Sequence, residues 1–128
     1  MTRIKPGLSR RERQIMDIVY RLGTASAATI QEEMPSAPGY SAVRAMLRVL
    51  EEKGHLKHRL HGQRYVFYPV VRRDQAGRSA LRHLMDTFFE GSTEGLVATL
   101  LEDSREELSE QQLARLTELI KRAREEGR

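Results

Sequence analysis

The hydrophobic pattern of this chain changes period at Gly54, and that change limits the folds open to it. Before the glycine, Tyr40–Gly54 carries apolar residues at Val43, Met46, Leu47 and Leu50, the 3.6-residue stripe of a helix seated on a core. After it, Leu56, His58 and Leu60 alternate with Lys57 and Arg59. His61-Gly62-Gln63 interrupts, and then Tyr65, Phe67 and Pro69 alternate with Arg64, Val66 and Tyr68. Two alternating runs about a Gly-containing turn predict a β-hairpin. The helix turns a different face outward, with Ser41, Arg44, Ala45 and Arg48. Small residues let a helix approach a partner closely, and two arginines one turn apart can reach phosphates or guanine edges. The same face would also serve as an ordinary solvated surface, so the neighbouring segments decide.

Upstream, Ser9 and Glu12 form a capping box that opens a helix to about Leu22, with Ile15, Met16, Val19 and Leu22 as its expected buried stripe. Arg10, Arg11 and Arg13 crowd its first turn, where the helix dipole disfavours positive charge and a nearby anion would relieve it. Ahead of it lies a short arm with Arg3 and Lys5. Gly23 ends the helix, Thr24-Ala25-Ser26 reads as a small strand, and Ala27–Met34 as a second helix capped by Ser26, with Ile30 and Met34 inward. The prolines of Pro35–Gly39 force a turn. Helix, short strand, helix, turn, helix, hairpin is the winged helix-turn-helix plan, in which the third helix enters the major groove and the hairpin flanks it. The expected contacts to double-stranded DNA are Ser41, Arg44, Ala45 and Arg48 on that helix, Lys57, Arg59, Gln63 and Arg64 on the wing, and Arg10 and Arg11.

Residues 72–126 carry only helical signals. A helix from about Arg73 to Glu90 is stopped by Gly91, Ser92 caps a short one, residues 103–108 form a polar break, and a second capping box, Ser109 with Gln112, opens a helix to about Arg124. Leu84, Phe88, Phe89, Leu96, Leu100, Leu101, Leu113, Leu116 and Ile120 are more apolar surface than three helices readily bury. They either pack back on the first half or meet a second copy, and a homodimer is the economical expectation. The fold class predicted is mainly α with a small antiparallel β wing: a winged helix-turn-helix domain over 7–71 and a three-helix dimerisation region over 72–126.

Charge supports the division. Residues 1–73 hold 14 Lys and Arg against 6 Asp and Glu, and residues 74–128 hold 8 against 12. A basic half suits a polyanion and the acidic half a different task. No apolar run nears the roughly 18 residues of a membrane span, and the basic N-terminus lacks the apolar segment of a signal peptide; the expectation is a cytoplasmic protein without membrane insertion. With no cysteine, disulfides and thiolate metal sites are excluded. His55, His58 and His61 invite a metal reading, but residues three apart on a strand point to opposite faces, so no metal is expected. Pairs such as Glu32-Glu33 and Glu51-Glu52 read as solvated helix surface. No Gly-rich phosphate loop or catalytic constellation is visible, so neither enzymatic activity nor a cofactor is expected. The alternative function is a winged-helix protein-interaction module without DNA readout. Such a surface would favour exposed aromatic or aliphatic anchors on the third helix, and Ser41, Arg44, Ala45 and Arg48 supply none.

The stretches LSRRERQIMDIVY, YSAVRAMLRVLEEKGHLKH, GQRYVFYPVV and LMDTFFEGSTEGLVATLLE, in this order and spacing, resemble the penicillinase-repressor family over about residues 7–126. The resemblance implies a homodimeric repressor on a palindromic operator, controlling a stress- or antibiotic-response gene set. It places Ser41, Ala42, Arg44, Ala45 and Arg48 on the recognition helix; Arg44 falls where the family commonly has arginine, and Ala42 replaces a frequent threonine. Tyr20 stands where many members have tryptophan. In antibiotic-sensing members a membrane sensor-protease clips the dimerisation region, commonly at an Asn-Phe bond. The corresponding candidate cleavage bond here is Thr99-Leu100, without that pair.

Overall fold

The computed structural model describes residues 7–103 and 108–127. The basic arm with Arg3 and Lys5, and most of the polar break, lie outside the described residues. Helices α1 (Arg10–Leu22), α2 (Ala27–Glu33) and α3 (Tyr40–Glu52) precede strands β1 (Leu56–His61) and β2 (Arg64–Pro69), and α4 (Arg73–Phe88), α5 (Thr93–Glu102) and α6 (Glu110–Glu125) follow. The protein is thus a winged helix-turn-helix followed by a helical C-terminal region. Its contacts divide it into two compact units between Ala80 and Leu81.

In the first unit the core is built from the three helices and the root of the hairpin. Ile15, Val19, Ile30, Val43, Leu47, Leu50 and Leu56 have essentially no exposed surface. Each such side chain contributes about 1.5–3 kcal/mol relative to exposure, which outweighs the modest helix propensity of α2, seven residues long. The stripe of α1 differs from expectation: Ile18 is buried, whereas Leu22 is 42% exposed. Leu22 is the last residue before Gly23, whose backbone leaves the helix at φ 87°, and it overhangs the end of the packed layer. Met46 is only partly covered.

The capping boxes form as read. Ser9 Oγ accepts from the Glu12 backbone N–H while Glu12 accepts from that of Ser9, and Ser109 and Gln112 repeat the pattern. The Ser26 side chain caps α2.

β1 and β2 pair antiparallel with Leu56 opposite Pro69, His58 opposite Phe67 and His61 opposite Arg64, leaving Gly62-Gln63 as a two-residue turn. Gly62 sits at φ 67°, as tight hairpin turns require. The short strand reduces to one bridge: Ala25 and Phe67 exchange backbone hydrogen bonds of 3.1 and 2.8 Å. Beyond the hairpin, the Tyr20 hydroxyl donates to the Val71 carbonyl at 2.9 Å, and burial pushes its pKa up.

In the second unit, Glu90 and Gly91 both take positive φ between α4 and α5, and Ser92 caps α5 through the Gly95 N–H. Among the described residues no helix is long and apolar enough to cross a membrane.

Candidate nucleic-acid interface

The third helix is held by α1 at both ends. At its N-terminal end, Arg11 donates to the carbonyls of Pro35 (2.8 Å) and Ser36 (2.7 Å) and to Gln14 (3.1 Å). Ser36 lies at φ 47°, a left-handed conformation that a non-glycine residue adopts at some cost. The Arg11 guanidinium therefore brackets the strained turn that leads into α3. From sequence Arg11 is expected only among the DNA contacts, because nothing in a run of first-turn arginines marks which one folds back. Gln31 adds a bond to the Pro38 carbonyl. At the other end, Lys53 Nζ donates to Glu12 Oε1 at 2.8 Å and to the Gly7 carbonyl at 3.2 Å. Glu12 is 7% exposed. The Lys53 hydrogen bond, followed by that from the Ser9 backbone, holds its carboxyl below the usual range against the opposing effect of burial. The box residue read as a local cap is thus also a tertiary ion pair.

So fixed, α3 exposes Ser41, Ala42, Arg44, Ala45 and Arg48 together, because Val43, Leu47 and Leu50 take the inward face. Two clefts flank it. One is lined by Ser26, Ala27 and Ala28 around the start of α2, Tyr40 and Arg44 of α3, and Gln63, Arg64, Tyr65 and Phe67 of the hairpin. The other is lined by Arg44, Arg48, Glu51, His58, Tyr65 and Phe67. Arg44 is common to both, so a polyanion along either would meet its charge.

The register divides the wing. Leu56, His58 and Leu60 with Pro69, Phe67 and Tyr65 share one face, and Lys57, Arg59 and His61 with Tyr68, Val66 and Arg64 share the other. The second face therefore collects Lys57, Arg59 and Arg64, all exposed, beside the exposed turn residue Gln63. The Arg59 guanidinium lies 4.9 Å over the Tyr68 ring, a cation–π contact worth about 0.5–1 kcal/mol at such a site. Arg10 is exposed at the start of α1. The cleft residues not named as DNA contacts from sequence include two exposed tyrosines, Tyr40 at 46% and Tyr65 at 53% exposure, and the polar side chains of Glu51 and His58. Tyr40 directly follows the Pro35–Gly39 turn and stands four residues before Arg44, a helical spacing that could have flagged it.

The second unit has little interior of its own. Leu96 is 8% exposed, while Leu84, Phe88, Leu100, Leu101, Leu113, Leu116 and Ile120 are all exposed, Phe88 at 70% and Ile120 at 66%. Leu96, in the first turn of α5 behind the Ser92 cap, is thus covered within a single chain, unlike the rest of the expected set apart from half-buried Phe89. Phe89 is half-buried, packed near Gly95. The Thr99-Leu100 bond lies inside α5, where the Thr99 hydroxyl donates to the Gly95 carbonyl at 2.9 Å.

No curated protein matches the chain. A family model does, over residues 8–122, and its description is penicillinase repressor. The match takes in the winged unit, its basic third helix and nearly all of the helical region. The chain belongs to the penicillinase repressor family, a family of DNA-binding transcriptional repressors rather than enzymes.

Proposed function

We propose that this protein acts as a homodimer on a palindromic operator, with residues 7–71 reading DNA and residues 72–126 joining the two copies. The observation that carries the reading is the exposed α3 face: Arg44 and Arg48, one turn apart beside Ser41, Ala42 and Ala45, lining clefts that the wing completes. Arginine is the side chain most often used to read guanine, and small neighbours admit the helix to the groove. Lys57, Arg59, Gln63, Arg64 and Arg10 supply phosphate contacts around it. The exposed leucines and phenylalanine of α4–α6 are the surface through which the copies associate, since so many large apolar side chains left exposed on one helical region call for a partner. Two-fold symmetry then fixes half-sites a whole number of helical turns apart.

The finer assignments follow the family: a cytoplasmic repressor of stress- or antibiotic-response genes, in which Thr99-Leu100, without the family's Asn-Phe pair, is the candidate bond for a membrane sensor-protease. A protease needs extended backbone, so α5 must unwind before that bond is cut. The test is a footprint on the DNA upstream of the protein's own gene, with sedimentation of the free protein. A protected palindrome and a dimer are expected; a monomer that protects nothing at low salt refutes the reading.

A further inference from the structure

The junction of α3 and the wing holds an acid–imidazole pair that neither base reading nor simple phosphate contact requires. Glu51, in the last turn of α3, meets His58 of β1 with Oε2 and Nδ1 2.6 Å apart. The His58 ring stands edge-on to Tyr65 at 5.0 Å between centroids and tilted against Phe67 at 5.6 Å. The two side chains remain 28% and 42% exposed and line the same cleft as Arg44 and Arg48. The groups facing the imidazole are thus Arg44, Arg48 and Glu51 from α3, and Tyr65 and Phe67 from β2; Lys57 and Arg59 on its own strand take the opposite face.

A bare carboxylate is out of place in a cleft that receives phosphates, since like charges in close proximity repel. A proton on the imidazole removes the conflict: it makes the pair neutral, and a separation this short suits a charge-assisted bond. With Nδ1 held by Glu51 and the ring packed against Tyr65 and Phe67, the protonated imidazole has Nε2 left as a donor. We infer that His58 contacts a DNA phosphate and takes up a proton when the duplex binds, with Glu51 as the positioning residue that orients the ring. This rests on α3 and the wing being the DNA-binding surface. It makes affinity depend on pH near neutrality, the range in which histidine titrates. By linkage, a duplex that favours the protonated ring binds more tightly where protons are more abundant.

The test uses the full-length protein and a mixed-sequence duplex about three helical turns long at low salt. Calorimetry in two buffers of different ionisation enthalpy counts the protons exchanged by the wild type, with no variant needed. Uptake of a fraction of a proton near neutral pH is expected, with affinity rising about three- to tenfold from about pH 8 to about pH 6. His58→Gln should flatten that rise, while His61→Gln on the other face of the hairpin should keep it. Glu51→Gln should bind at least as well as wild type at the alkaline end, having lost a negative charge, yet gain less on acidification; a purely structural role would not produce that split. Binding without proton uptake, or a pH dependence unchanged in His58→Gln, overturns the inference and leaves the DNA-binding reading intact. No binding at any pH overturns both.

Discussion

Replacing Lys53 by methionine isolates the tie between the residue that caps the C-terminal end of α3 and the first turn of α1. Methionine keeps an apolar stem against the neighbouring surface but withdraws the charge from Glu12. The bond removed is 2.8 Å long, to a carboxylate whose side chain is 9% exposed, from a lysine side chain 29% exposed. Hydrogen bonds to charged groups contribute about 1.5–3 kcal/mol, and solvent at the lysine end brings the expected loss to about 2 kcal/mol. All four tyrosines, Tyr20, Tyr40, Tyr65 and Tyr68, precede Ala80, and there is no tryptophan. Tyrosine fluorescence during urea unfolding therefore reports on the winged unit by itself. The pH dependence has a definite sign. Because the folded-state carboxyl of Glu12 is depressed, chiefly by Lys53, its contribution is complete above the ordinary carboxylate range and lost as pH falls through the depressed value. The gap between wild type and Lys53→Met should be full at neutral pH and close only in strong acid. A gap below about 0.5 kcal/mol at neutral pH, or one of equal size in strong acid, refutes the assignment of the bond energy to this ion pair.

Arg44→Ala should cost about 1–3 kcal/mol of operator affinity and relax selectivity at one base pair, whereas Arg64→Ala should weaken operator and random DNA alike and flatten the salt dependence; equal losses on both DNAs for both variants refute that division of labour. Arg11→Ala should lower the stability of the winged unit by about 1–2 kcal/mol through its two lost carbonyl bonds and weaken binding to DNA with the salt slope unchanged; a slope smaller by one phosphate contact would make Arg11 a DNA ligand instead. Leu116→Asp, at a position 39% exposed in the single chain, should yield monomers in sedimentation with reduced operator affinity; a persisting dimer would move the interface elsewhere on the helical region.

Local signals were legible in the sequence where a residue serves one purpose. The caps at Ser9, Ser26, Ser92 and Ser109 could be read because a hydroxyl three residues before a helical N–H has few other uses. The α3 stripe was readable because every third or fourth residue is apolar. What stayed hidden were side chains with long-range second tasks. Arg11 reaches carbonyls 24 and 25 residues away, and Lys53 reaches a carboxylate 41 residues away; such pairings depend on how helices cross, which periodicity does not encode. Leu22 and Ile18 are four apart on one helical face, and only the position of the turn at Gly23 decides which of them the core covers. At the site, Arg44 and Arg48 could be named from their spacing, but the pairing of Glu51 with His58 required the hairpin to fold back over α3.

The hairpin is fastened at its root and free at its tip. Ala25 is bonded to Phe67, the Val70 N–H donates to the His55 carbonyl, and Leu56 is sunk in the core, whereas Leu60 at 62% and Tyr65 at 53% exposure stand beyond any such anchorage. It is a cantilever: a load on its far end bends the last residues before it disturbs the clamp. If α3 and the wing grip DNA as proposed, a duplex whose groove is narrower or wider than average deflects the wing by itself, while α3, braced by α1 at both ends, keeps its pose against the bases. On that proposal, tolerance of backbone shape and strictness toward base identity fall to separate parts of one small unit.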